Sequence, residues 1–221
     1  MKAIIQTKYS SPGDVLQVRE IDKPVAGPGE VLVRVHATSV HPDIWHVVTS
    51  RPYILRLAWA GWLRPRNPVP GTDMVGVVES VGKGVTRFRP GDEVFGETFT
   101  EFHWHNGGAY AEYVAVPEEC LAVKPANITF EQAASVPTSE FIVLSNLPQA
   151  NQFRDGWEVL INGAGGGVGS LALQVCKAYG THVTAVDSTH KLDLPRSLGA
   201  NQVIDYTRGN FTQGSERYDL V

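Results

Sequence analysis

The sequence is poor in the features that announce a disulfide scaffold, a metal cluster or a membrane anchor. Its 221 residues hold two cysteines, Cys120 and Cys176, too far apart in sequence for a disulfide framework or a spaced ligand cluster. A reducing compartment, the cytoplasm, is the expectation. No apolar run approaches the ~20 residues a membrane-spanning helix needs. The most apolar segment, Tyr53 to Leu63, is interrupted by Arg56. Met1 to Gln6 lacks a long apolar stretch followed by a small-residue cleavage site, so it reads as a first strand, not as a signal peptide. Neither sign of charge dominates: the net charge is -4 and the pI about 6.0. Nothing electrostatic therefore favours nucleic acid or an anionic membrane as partner. Internal repeats and low-complexity tracts are absent as well.

What is there is a globular composition, 43% hydrophobic and 19% charged, with enough chain for two domains. From residue 1 to about 125 short β-like runs alternate with Gly and Pro. The runs are Val31 to Val35, Val75 to Val78 and Tyr110 to Val114. Turns are expected at Gly27-Pro28-Gly29-Glu30 and Arg89-Pro90-Gly91-Asp92, because Pro pre-sets φ and Gly tolerates positive φ. A compact β-barrel-like domain over 1–125 follows.

From 126 to 221 the pattern changes. Thr129-Phe130-Glu131-Gln132 carries a capping-box start, and a linking helix continues through Ala133 to Leu147 with a break near Pro137. Then come the strand Trp157 to Asn162, a glycine cluster and the apolar-periodic stretch Leu171 to Tyr179. Val183 to Val186, Lys191 to Leu198 and Gln202 to Ile204 repeat the alternation, as in a parallel sheet with helical crossovers.

Gly163-Ala164-Gly165-Gly166-Gly167-Val168-Gly169 falls between strand and helix, where a dinucleotide fold needs its first turn. Glycines there let backbone N–H groups approach a pyrophosphate, and the helix N-terminus adds partial positive charge. Ala164, Gly166 and Gly169 give A-x-G-x-x-G, one glycine short of the strict fingerprint. Eighteen residues after Gly169 stands Asp187, near the ~20-residue offset at which an acid meets the adenine ribose. That carboxylate favours NAD and would repel a 2′-phosphate. Ser188 and Lys191, however, could receive one, so NAD and NADP stay open. The alternative is that Asp187 only caps the next crossover.

Several stretches together resemble the zinc-free medium-chain dehydrogenase/reductase family, in its quinone oxidoreductase-like branch. They are Pro70 to Val78, Pro90 to Gly96, Gly108 to Val114, the glycine turn, and Leu198 to Tyr206. The resemblance implies an α/β chain: an N-terminal chaperonin-cofactor-like (GroES-like) catalytic barrel, then a doubly wound Rossmann sheet, with nicotinamide bound between them. It also implies hydride transfer from NAD(P)H, mostly NADPH, to a quinone, enone or related activated carbonyl. A homo-oligomer is expected for the full-length form. Zinc relatives would place a cysteine in the stretch Ser39 to Asp43, Gly-His-Glu where Gly71-Thr72-Asp73 stands, and four lobe cysteines after Phe95. None of these is present, and no metal is expected. His103-Trp104-His105 is read as a polar loop, not as a metal pair.

His41 and Asp43 occupy the stretch that in relatives reads Asn-Pro-x-Asp and borders the nicotinamide. They are the candidate catalytic residues. An imidazole can donate a hydrogen bond or a proton to a developing oxyanion. The plainer reading is a structural histidine and a turn residue. Ile142 stands where relatives often have a nicotinamide-contacting threonine, and Thr138 with Ser139, one turn earlier, could compensate. Trp59 and Trp62 in the Tyr53 to Leu63 stretch could form an aromatic flap over the acceptor, although such a stripe is more often core.

Two rival functions stand beside the reductase. One is a non-catalytic dinucleotide-binding scaffold, motivated by His41 and Ile142. The other is a zinc alcohol dehydrogenase. A complete Rossmann sheet has six strands. Three are counted after Trp157, with Tyr218 to Val221 opening a fourth, so the Rossmann part is expected to be incomplete and the chain inactive alone.

Overall fold

The computed structural model describes residues 1–54, 62–99, 106–149 and 152–221. They form two compact units, Met1–Thr138 and Ser139–Val221.

The first unit runs β1 (Lys2–Gln6), α1 (Pro12–Val15), β2 (Leu16–Glu20), β3 (Glu30–Ala37), α2 (Pro42–Thr49), β4 (Asp73–Val81), β5 (Glu93–Glu97), β6 (Tyr113–Pro117), β7 (Leu121–Val123) and α3 (Phe130–Ala134). Five strands form an antiparallel sheet in the order β6-β3-β4-β5-β7, and β1 pairs with β2 in a separate ribbon. Alternation decides which face each side chain serves. On β4, Met74 and Val78 enter a core with Val31, Val33, Val94, Val114 and Val116. Val75, on the opposite face, packs against Ala133 and Ala134 of α3. Burial on both faces is why β4 reads as an unbroken apolar run. Each such side chain contributes about 1.5–3 kcal/mol.

Two local expectations change. The Tyr110 to Val114 run enters the ladder only at Tyr113. Ahead of it, Ala111 makes one isolated bridge to Ala3, and the Tyr110 hydroxyl donates to the Ser39 carbonyl. Helix α2 was not expected at all, since Val47-Val48-Thr49 is β-branched and favours a strand. Tertiary burial overrides that preference: Ile44 and Val48 pack on Val15, and Pro42 supplies a helical φ at the first position.

The division between the units falls inside α4 (Pro137–Asn146). The capping box ahead of α3 is complete, with Thr129 Oγ1 accepting from the Gln132 N–H and Gln132 Oε1 from the Thr129 N–H. The second unit continues with β8 (Glu158–Asn162), α5 (Gly167–Ala178), β9 (His182–Asp187), α6 (Asp193–Ser197) and β10 (Gln202–Asp205). The three strands are parallel in the order β10-β9-β8, a Rossmann-like sheet. Val159, Leu173, Cys176, Val183 and Ala185 form its core. Leu220 lies parallel to β8, its carbonyl accepting the Leu160 N–H at 2.9 Å. The closing residues thus run beside the first strand of the sheet.

Among the described residues no helix is long and apolar enough to cross a membrane. Trp59 and the His103-Trp104-His105 stretch lie outside the described residues. Trp62, 66% exposed, is not a core residue.

Candidate functional site

In the second unit the carboxyl ends of β8, β9 and β10 lie at one edge of the sheet, ending in Asn162, Asp187 and Asp205. The glycine turn starts directly after β8. Gly163 takes φ +83°, and its N–H and that of Ala164 donate to the Val186 carbonyl. The turn is thereby tied to β9. Ala164 is fully buried, so it packs the underside of the turn and presents neither side chain nor N–H outward.

Helix α5 begins at Gly167 with Gly166 as N-cap and no side-chain cap. The N–H groups of its first turn, at Gly167, Val168 and Gly169, are thus left to an outside acceptor, beside the positive end of the helix dipole. A Cβ at Gly169 would overlap the Gly163 carbonyl oxygen, so only glycine lets α5 sit this close to the turn. Such a cradle fits a pyrophosphate.

Asp187 closes the turn from the side. One carboxylate oxygen accepts the Gly165 N–H at 2.8 Å, and the other accepts the Ser188 N–H at 2.7 Å and the Ser188 hydroxyl at 3.2 Å. Burial works to raise the Asp187 pKa. The hydrogen bonds from Ser188 and Gly165, with the Lys191 charge, outweigh it and hold the carboxyl below its ordinary value. Lys191 flanks the same turn: a Cβ on Gly165 would lie 2.7 Å from the Lys191 Cβ. The structure brings Asp187, Ser188 and Lys191 together at the turn. Sequence reasoning did not anticipate that Asp187 is bound to the turn itself, or that the Ser188 hydroxyl is committed to that carboxylate.

In the first unit a second polar cluster gathers around Asp73 at the start of β4. One Asp73 oxygen accepts the Thr138 hydroxyl at 2.5 Å and the Thr138 N–H at 3.2 Å, and the other accepts the Ser39 hydroxyl at 2.5 Å. The Asp73 pKa is raised by burial, against the lowering effect of those hydroxyls and of His41. Tyr110 is pushed up to about 12 by burial and by the Asp73 charge, so it stays a donor to Ser39.

His41 caps the start of α2. Its Nε2 shares a hydrogen bond of 2.9 Å with Thr72 Oγ1 and lies 3.5 Å from Thr138 Oγ1. Its Nδ1 is buried and makes no hydrogen bond among the described residues; Asp43 Oδ2 is 3.8 Å away, beyond hydrogen-bond length. The structure therefore brings His41, Asp43 and Thr138 into one neighbourhood and adds Thr72, Asp73 and Ser39. A signal for Asp73 was present in the sequence, as a carboxylate opening the apolar run Met74 to Val78. Among the described residues no group of three or more His, Cys, Asp or Glu side chains is placed to hold a metal ion.

An antiparallel sheet unit followed by a parallel sheet unit with a glycine cradle defines a medium-chain dehydrogenase/reductase, and the chain belongs to that family, in its quinone oxidoreductase-like branch. The family described as alcohol dehydrogenase GroES-like domain matches residues 27–126, and the family described as zinc-binding dehydrogenase matches residues 167–216.

Among individual relatives, the chain is 36% identical over 226 residues to 2-methylene-furan-3-one reductase of Solanum lycopersicum, covering 100% of this chain and 56% of that protein. It is 37% identical over 226 residues to the NADPH-dependent alkenal/one oxidoreductase, chloroplastic, of Arabidopsis thaliana, with the same coverage. The quinone oxidoreductase structure from Coxiella burnetii superposes with a TM-score of 0.83 at 30% identity, covering 100% of this chain and 68% of that one. The chain thus spans about half the length of those two plant relatives.

Proposed function

We propose that this chain carries the substrate-side domain and the nucleotide-binding half-sheet of an NAD(P)H-dependent oxidoreductase. The enzyme reduces a quinone, enone or related activated carbonyl compound without zinc. The observation that carries the reading is the uncapped glycine cradle at the start of α5, closed by Asp187, in a chain of this family. The relatives' names supply the substrate class.

The Gly167, Val168 and Gly169 N–H groups would hold the cofactor's pyrophosphate and Asp187 its adenine ribose. Asp187 leans the choice toward NADH, because a fixed carboxylate repels a 2′-phosphate and the Ser188 hydroxyl is already donated. The named NADPH dependence of the Arabidopsis relative argues the other way. When bound, the cofactor supplies the hydride. The chain's own residues then have little chemistry left to do. His41, with an unsatisfied Nδ1 and with Nε2 held by Thr72, is the donor proposed for the acceptor oxygen. Thr138 is held by Asp73, so it orients the cluster and does not replace the threonine missing at Ile142. A reducing compartment and a homo-oligomeric full-length form complete the proposal.

Oxidation of NADH and NADPH by the protein, followed at the nicotinamide absorbance against a panel of quinones and enones, tests it. Acceptor-dependent oxidation is expected. Absence of turnover with every acceptor, with cofactor binding intact, would favour the non-catalytic scaffold.

A further inference from the structure

The hydroxyls around Asp73 restrict where His41 can hold its protons. Thr138 Oγ1 gives its single proton to Asp73 Oδ1 at 2.5 Å, and the Thr138 N–H donates to the same oxygen at 3.2 Å. The Ser39 hydroxyl donates to Asp73 Oδ2 at 2.5 Å. Both carboxylate oxygens are acceptors, so neither hydroxyl has a proton left to give. Thr138 Oγ1 therefore offers only a lone pair to His41 Nε2, 3.5 Å away. A bare Nε2 would set lone pair against lone pair there. A protonated Nε2 avoids this, and it donates to Thr72 Oγ1 at 2.9 Å.

The other ring nitrogen gives the same answer. His41 Nδ1 is buried and has no hydrogen-bond partner among the described residues. In the opposite tautomer it would carry a buried N–H with no acceptor, an arrangement that folded chains seldom tolerate. Asp43 Oδ2, 3.8 Å away, is too far to accept in that form. Three further titratable groups act on this pair: Asp43 on α2, Glu97 at the end of β5 and Tyr110 ahead of β6.

We propose that Asp73 is a positioning residue that, through Thr138, holds neutral His41 as its Nε2–H tautomer, so that His41 gives a proton from Nδ1 only when it is an imidazolium. The acid role rests on the reductase reading above, while the tautomer does not. In that role the acceptor takes a hydride, with two electrons, from reduced nicotinamide, and a proton from Nδ1. The electron pair of the broken N–H bond stays on the ring, and water returns a proton to the neutral imidazole. Nε2–H remains on Thr72 throughout.

Long-range 1H–15N correlation NMR on protein labelled with 15N-histidine is the test, because it separates a protonated ring nitrogen from a bare one. The His41 signals are those lost in His41→Asn. With the ring neutral, wild type is expected to show the Nε2–H tautomer alone, and Thr138→Ser, which keeps the hydroxyl, should match it. In Asp73→Asn the amide can donate to Thr138 Oγ1 and free its proton for Nε2, and Thr138→Val removes the opposing lone pair. Both variants should lose the single tautomer and show Nδ1–H as well. An Nδ1–H wild type would overturn the proposal, and so would a Thr138→Val variant that keeps Nε2–H alone, even if Asp73→Asn fails to fold. Activity is read separately: kcat/KM for acceptor reduction should fall roughly tenfold per pH unit once the same signals show His41 neutral, and His41→Asn should lack that fall. A rate that holds while His41 is neutral would overturn the acid role. Absence of turnover with every acceptor, with the Nε2–H tautomer intact, would remove the reductase reading and leave the Asp73 assignment standing.

Discussion

The Asp187 carboxylate accepts the backbone N–H of Gly165 at 2.8 Å, tying the end of β9 to the middle of the glycine turn. One side chain therefore both shapes the cradle and places a negative charge where a 2′-phosphate would approach. These two effects separate by mutation. Asp187→Asn removes the charge and keeps an acceptor for Gly165, whereas Asp187→Ala removes both. In each variant the preference should move toward NADPH by about 1–2 kcal/mol, read as the ratio of NADH to NADPH dissociation constants. An unchanged ratio in both would reduce Asp187 to a clamp on the turn.

The glycines of the turn should not respond alike. A Cβ on Gly166 meets only the Gly163 carbonyl oxygen, at 3.3 Å, and its φ of -89° suits any residue. Gly166→Val is therefore expected to leave the urea unfolding midpoint nearly unchanged while cofactor affinity is lost. Gly169→Ala drives a methyl into the Gly163 carbonyl and Ala164, and should destabilise the chain by about 1–3 kcal/mol. Normal cofactor affinity in folded Gly166→Val would remove the turn from the site.

Asp73 predicts a pH dependence. Its pKa is raised in the folded protein, chiefly by burial, above the ordinary 3.8. Between that value and the folded one the native state holds more protons than the unfolded state, so stability falls as pH rises through this window. Asp73→Asn has no such titration. The stability of the wild type relative to Asp73→Asn should therefore decrease from pH 3.8 upward, measured by urea unfolding at a series of pH values. A difference that grows with pH would mean that the hydroxyl cage, not burial, dominates.

Thr129 supplies a control, since its side chain and N–H bond to Gln132 and to neither cluster. Thr129→Ala breaks the reciprocal bonds with Gln132 at the start of α3 and should cost about 1 kcal/mol, with no change in NADH or NADPH affinity.

The parts of this protein that could be read directly from its residues are those built locally. The capping box lies within four consecutive residues, and the glycine turn is one run between a strand and a helix. Asp187 follows at a spacing that one helix and one strand enforce. Consecutive backbone geometry determines these features, so their order along the chain suffices.

The other cluster had to wait for the folded chain. Thr72 bonds His41 across 31 residues, Asp73 accepts from Ser39 across 34, and Thr138 reaches Asp73 across 65. Helix α2, which carries His41, forms against the β preference of Val47-Val48-Thr49 because Ile44 and Val48 find Val15 to pack on. Such meetings depend on strand register and on burial against distant segments. Local propensity contains no term for either, and so only the tertiary structure could decide them.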